Sequence, residues 1–122
     1  MATVLVVEDD PSLRRLYEAE FEEEGYRVET ASTGEEAVSR MEEAAPDAVV
    51  LDIRLPGMNG LDVLRLLLQK HPEVAVVLNS AYPGYKQDFA SWSADGYVVK
   101  SSDTTELKAV VAGALGARRR AA

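Results

Sequence analysis

The chain has 122 residues, 21 of them acidic and 13 basic, giving a net charge of −8, and it contains no cysteine. That length suits a single domain with its own core, and the lack of thiols excludes disulfides, thiolate metal sites and cysteine nucleophiles. The acidic balance disfavours direct contact with nucleic acid, whose phosphates need a basic face.

The opening MATVLVVEDD lacks the basic start and the long apolar run of a signal peptide. No segment reaches the roughly 20 apolar residues of a membrane span, so a cytoplasmic protein without membrane contact is expected. VLVV at 4–7 reads as a first buried strand. Asp10-Pro11 then supplies an N-cap and a first-turn proline, and Asp10 is expected to cap rather than to ligate. Leu13, Leu16, Tyr17 and Phe21 follow at helical spacing until Gly25 stops the helix. The polar alternation at 26–31 predicts an edge strand. Thr33 and Glu36 form a capping box ahead of a second helix, which Pro46 closes off.

DAVVL at 47–51 is the next strand. A helix over about 60–71 follows, with Leu61, Leu64, Leu67 and Leu68 on a core face and a structural or exposed His71 near its end. VAVVL at 74–78 is a fourth strand. The stretch 80–96, with Pro83, Gly84 and the single Trp, predicts at best a short or distorted helix. YVV at 97–99 is the last strand, and Asp103 with Glu106 caps a final helix. Arg118, Arg119 and Arg120 suit that helix's last turn or a solvated tail. Strands alternating with helices predict an α/β fold, a doubly wound parallel sheet with helices on both faces.

Ligands of such sheets bind outside the carboxyl ends of the strands. There the chain places Glu8, Asp9 and Asp10, then Asp52, then Asn79 and Ser80, then Lys100. Carboxylates brought together at one rim repel, and a hard divalent cation relieves them. Mg²⁺ fits, because it takes oxygen ligands and commonly sits between carboxylates and a phosphate. Lys100 and Ser80 can meet phosphoryl oxygens, and a carboxylate can itself accept a phosphoryl group. Asn79 has no role on these grounds.

Together LVVEDDPSLRRL, VVLDIRLPGMNGLDVL, Ser80-Ala81 and DGYVVK resemble the receiver domain of two-component response regulators. The resemblance spans roughly 2–115 and implies a flavodoxin-like sheet of five strands in the order 2-1-3-4-5. It implies a receiver domain over 1–118 with 119–122 as a C-terminal tail. Asp52 would be the phosphoacceptor, with Lys100 and Ser80 assisting. Asp9, Glu8, Asp52 and the Arg54 backbone carbonyl would hold Mg²⁺. Ser80 and Tyr97 would form the switch. The implied function is a phosphorylation-dependent signalling switch rather than an enzyme. Its phosphoryl donor would be a sensor histidine kinase or a histidine phosphotransfer protein, and it would act on an output partner or fused effector, with a homodimer formed on phosphorylation.

Two departures stand out. The family usually places a proline and a large apolar residue after the lysine, whereas here Ser101 and Ser102 follow Lys100. The loop is therefore expected to rest on hydrogen bonds from Ser101, Ser102 and Asp103, with a trans peptide. Arg54 and Tyr82 are large where the family tunes loss of the phosphoryl group, which predicts slow autodephosphorylation. Three competitors are a receiver-like module that never carries phosphate, an aspartyl-phosphate phosphohydrolase and an FMN carrier. The first is opposed by Glu8, Asp9, Asp52 and Lys100 together. The second wants its acceptor after the first strand, and the third a Ser/Thr/Gly-rich loop where Glu8-Asp9-Asp10 stands.

Overall fold

The Val-rich runs become strands because β-branched side chains pack well in a sheet covered on both faces. A computed structural model describes residues 1–81 and 94–121. Strands β1 (Thr3–Val7), β2 (Arg27–Ala31), β3 (Ala48–Leu51), β4 (Ala75–Ser80) and β5 (Gly96–Val99) pair in parallel in the order β2-β1-β3-β4-β5. This is the order expected from the sequence. β2, the strand with polar alternation, lies at an edge and is only partly buried.

Side chains alternate between two layers, as a pleated strand requires. Val4, Val6, Val50 and Val77 pack with Tyr17 and Phe21 of α1 (Pro11–Glu23) and Leu107 and Val111 of α4 (Thr105–Ala121). Leu5, Leu51 and Leu78 face α2 (Gly34–Glu43) and α3 (Gly60–Lys70), meeting Met41, Leu64 and Leu67. Each of those three strand leucines is fully buried and contributes about 1.5–3 kcal/mol. The helix expected within 80–96 and the side chain of Tyr82 lie outside the described residues. No helix among the described residues is long and apolar enough to cross a membrane.

Local signals set the helix ends. Asp10 Oδ1 accepts from the N–H groups of Ser12 (2.8 Å) and Leu13 (3.3 Å), which caps α1. Gly25, with φ of +92°, reverses the chain after α1 in a conformation that side chains resist. Thr33 Oγ1 accepts from Glu36 N–H at 3.0 Å, one half of the expected capping box. The other half is displaced by a residue: Glu36 Oε1 accepts from the N–H (2.7 Å) and hydroxyl (3.2 Å) of Ser32, not from Thr33.

The last helix runs through Arg119, Arg120 and Ala121, part of the segment expected as a tail. Arg118 anchors it. Its Nε and Nη2 donate to both Asp95 oxygens (3.1 and 3.0 Å), and Nη1 donates to the Pro72 carbonyl (2.6 Å). Asp95 in turn accepts from Val76 N–H at 2.7 Å, so the end of α4 is tied to the start of β4.

Candidate functional site

Parallel strands in register deliver their carboxyl ends to one rim. Val7 pairs with Leu51 and Leu51 with Leu78, so the next residues, Glu8, Asp52 and Asn79, stand level across three strands. Ser80 pairs with Val99, which brings Lys100 alongside, and Lys100 N–H donates to the Ser80 carbonyl at 2.7 Å.

Lys100 Nζ bridges the rim. It lies 2.7 Å from Glu8 Oε1 and 2.9 Å from Asp52 Oδ2. Glu8 is 1% exposed and Asp52 5%, whereas Asp9 is exposed. One carboxylate oxygen from each of Glu8, Asp9 and Asp52 lies within 4.8 Å of the others. The Glu8 and Asp52 oxygens that do not face Lys100 are held by backbone: Asp10 N–H donates to Glu8 Oε2 (3.1 Å) and Arg54 N–H to Asp52 Oδ1 (3.1 Å). Burial pushes the Glu8 carboxyl above its ordinary value, and its hydrogen bonds to Lys100 and to Asp10 N–H only partly offset that. For Lys100 burial works downward, but the bonds to Glu8 and Asp52 outweigh it and the ammonium is held above its usual value. The lysine therefore stays charged at neutral pH and serves as the counter-charge of two buried acids.

The loop after Asp52 folds tightly over the site. Gly60 N–H donates to the Ile53 carbonyl at 2.8 Å, and a Cβ at Gly60 would overlap the Asp52 carbonyl oxygen. Glycine is required there by close approach rather than by φ. Ser80 is fully buried at the end of β4. Tyr97 is buried in the layer shared with α2 and α3 and pairs with Leu78. Ser101 Oγ accepts from Asp103 N–H (3.2 Å) and Asp103 Oδ1 from Thr105 N–H (2.9 Å), the kind of support expected where proline is missing. No cis peptide occurs among the described residues, so the Lys100–Ser101 bond is trans.

Three further contributors were not foreseen from sequence. Arg14 Nη1 donates to the carbonyls of Glu8 (2.9 Å) and Asp9 (3.3 Å), pinning the acidic turn onto α1. Asn79 and Tyr17 are both buried and line one cavity together with Val99 and Ser101. The signals were faint: a helical spacing of 10, 14 and 17, and one polar residue at the end of an apolar strand. Chemically, the rim offers hard oxygen donors for a divalent cation, a carboxylate nucleophile and a fixed ammonium beside it.

Residues 4–112 match the response regulator receiver domain family. The probable transcriptional regulatory protein TcrX of Mycobacterium tuberculosis is 37% identical over 107 residues, covering 86% of this chain and 46% of that protein. The positive alginate biosynthesis regulatory protein of Pseudomonas aeruginosa is 38% identical over 107 residues, covering 85% of this chain and 43% of that one. The chain thus spans less than half the length of either relative. Response regulator TrrA of Thermotoga maritima, solved in complex with Mg²⁺-BeF, has a TM-score of 0.88 at 42% identity, over 93% of this chain and 99% of that one. Family match, strand order and the residues at the rim agree, and the chain belongs to the response regulator receiver domains of two-component signalling.

Proposed function

We propose that the chain is a phosphorylation-controlled switch in which Asp52 accepts a phosphoryl group from the phosphohistidine of a sensor kinase or histidine phosphotransfer protein. The observation that carries this is Lys100 Nζ lying between Asp52 Oδ2 and Glu8 Oε1 at the carboxyl rim of the sheet. An Asp52 carboxylate oxygen attacks phosphorus; the new O–P bond forms as the donor's N–P bond breaks, and its electron pair leaves with the imidazole. Arg54 N–H fixes the orientation of the attacking carboxylate. Lys100 donates to an oxygen of the incoming group and limits the repulsion between it and the acids.

Asp9, Glu8, Asp52 and the Arg54 carbonyl would hold Mg²⁺, and the clustered acid oxygens fit a hard cation. When bound, the ion supplies charge neutralisation for the transferring group. The added charge of about −1.5 to −2 then draws in the Ser80 hydroxyl. Tyr97, in the adjacent strand, repacks with it and biases a two-state output face. The role is that of a cytoplasmic phosphoacceptor, not of an enzyme with a turned-over substrate. Its output passes to an attached effector or separate partner, or through a phosphorylation-induced homodimer, without direct contact between this chain and nucleic acid.

Incubation with acetyl phosphate or phosphoramidate and Mg²⁺, followed by intact-mass measurement, tests the proposal. Wild type should gain one phosphoryl group and Asp52→Asn none. An unmodified wild type would favour the interaction module that carries no phosphate, and a modified Asp52→Asn would place the acceptor at another residue.

A further inference from the structure

The backbone that leads from Lys100 into α4 runs through Ser101, Ser102 and Asp103, with no proline ring to fix its φ angles. The hydrogen bonds of Ser101 with Asp103 and of Asp103 with Thr105 stay within this segment, so they shape it without setting where it lies. A cavity of about 140 Å³ sits behind it, lined by Tyr17, Asn79, Val99, Ser101 and Thr104. Packing on that side is incomplete, and the loop's place depends on bonds to other elements.

Two such bonds stand at its ends. At the start, Lys100 N–H donates to the Ser80 carbonyl of β4 at 2.7 Å. At the far end, the Thr104 hydroxyl donates to Glu20 Oε1 of α1 at 2.7 Å, across 84 residues of sequence. Thr104 is only 5% exposed, and its carbonyl accepts the Lys108 N–H (2.9 Å) where α4 begins. A threonine at a helix start commonly bonds within its own turn, whereas this hydroxyl reaches a different helix. The other Glu20 oxygen lies 3.8 Å from Lys108 Nζ, which is also 3.6 Å from Glu24 Oε1. Those ion pairs are long and open to screening; the hydroxyl–carboxylate bond is short, directional and charge-assisted. The phosphotransfer proposed above uses neither Thr104 nor Glu20.

We infer that the Thr104–Glu20 hydrogen bond is a clamp for phosphotransfer: it holds the loop after Lys100 against α1 so that the lysine ammonium stays aligned on Asp52. Both are positioning residues, and the inference rests on Asp52 being the acceptor. The test measures phosphorylation rates from acetyl phosphate at saturating Mg²⁺, with melting temperatures alongside. Thr104→Val keeps the side chain's shape and loses its donor, while Thr104→Ser keeps the donor. Glu20→Ala removes the acceptor, while Glu20→Gln keeps one. Val38→Ala loosens packing in the opposite layer, on the other face of the sheet.

Thr104→Val and Glu20→Ala should each slow phosphorylation about 3- to 10-fold, the loss of one hydrogen bond. Thr104→Ser and Glu20→Gln should stay within about twofold of wild type. The double variant Thr104→Val/Glu20→Ala should be no slower than either single, because all three break one interaction. Added to Lys100→Ala, Thr104→Val should slow nothing further, since the clamp acts through the lysine. Val38→Ala should melt earlier yet react at the wild-type rate. Wild-type rates in Thr104→Val and Glu20→Ala would overturn the inference. So would a further loss in the Lys100→Ala background, or an equal slowing in Val38→Ala, which would reduce the clamp to general stability. A wild type that takes no phosphoryl group at all would instead refute Asp52 as acceptor, and the clamp's role with it.

Discussion

Lys100 is the counter-charge shared by the two buried acids of the rim. Its ammonium lies within 3 Å of both Glu8 and Asp52, with a side chain only 17% exposed. Removing one partner of such a cluster leaves like charges facing each other in a poorly solvated place. Lys100→Ala should lower unfolding stability without Mg²⁺ by about 2–4 kcal/mol, less than for a fully buried pair because some solvent reaches the site. A divalent cation can take over part of the lost neutralisation. Mg²⁺ should therefore stabilise Lys100→Ala more than it stabilises wild type in urea titrations, by linkage. Equal stabilisation of the two proteins would show that lysine and cation do not share the same acids.

At the level of elements, the caps convert short sequence signals into fixed helix ends. Glu36 is the clearest case: the Ser32 N–H lowers its pKa most, burial opposes, and the Ser32 hydroxyl and Arg40 add to the lowering from 4.5. A carboxylate whose pKa falls on folding contributes stability above its unfolded pKa, and that stability is lost as pH drops through the folded one. Glu36→Gln should therefore melt earlier than wild type at pH 7, and the gap should close as pH falls below about 4.5. Since the side chain is 41% exposed, screening limits the difference to less than about 1 kcal/mol. A gap that persists unchanged into acid would assign the effect to shape rather than charge. These ends were legible because their partners lie within a few residues: Asp10 with Ser12 and Leu13, Thr33 with Glu36. Arg118 with Asp95 and Arg14 with the β1 turn were not, since each bond joins groups that only tertiary packing brings together. Even the box at Glu36 shifted its acceptor by one residue, a detail that spacing alone does not encode.

Across the whole molecule, a parallel sheet turns separate strand ends into one site. Four short apolar runs and one alternating run were enough to anticipate five strands, and the acids at the ends of β1 and β3 pointed to the rim before any distance was known. The support behind that rim was hidden, because Arg14 reads as one more charged residue of α1 until the fold brings it to the Glu8 and Asp9 carbonyls. Burial of the strands fixes where Glu8 and Asp52 emerge, Lys100 crosses from β5 to meet them, and Arg14 of α1 holds the end of β1. Such a frame presents a carboxylate for attack while keeping its neighbours in place, and the added phosphoryl charge then acts on a core that is packed rather than pliant. Locating the acceptor is the most direct check. Borohydride reduces an acyl phosphate to the alcohol, so wild type treated with phosphodonor, Mg²⁺ and borohydride can be digested and sequenced by mass spectrometry. The expected result is homoserine at position 52 alone, dependent on both donor and Mg²⁺; no conversion there, or conversion at Glu8 or Asp9 instead, would contradict it.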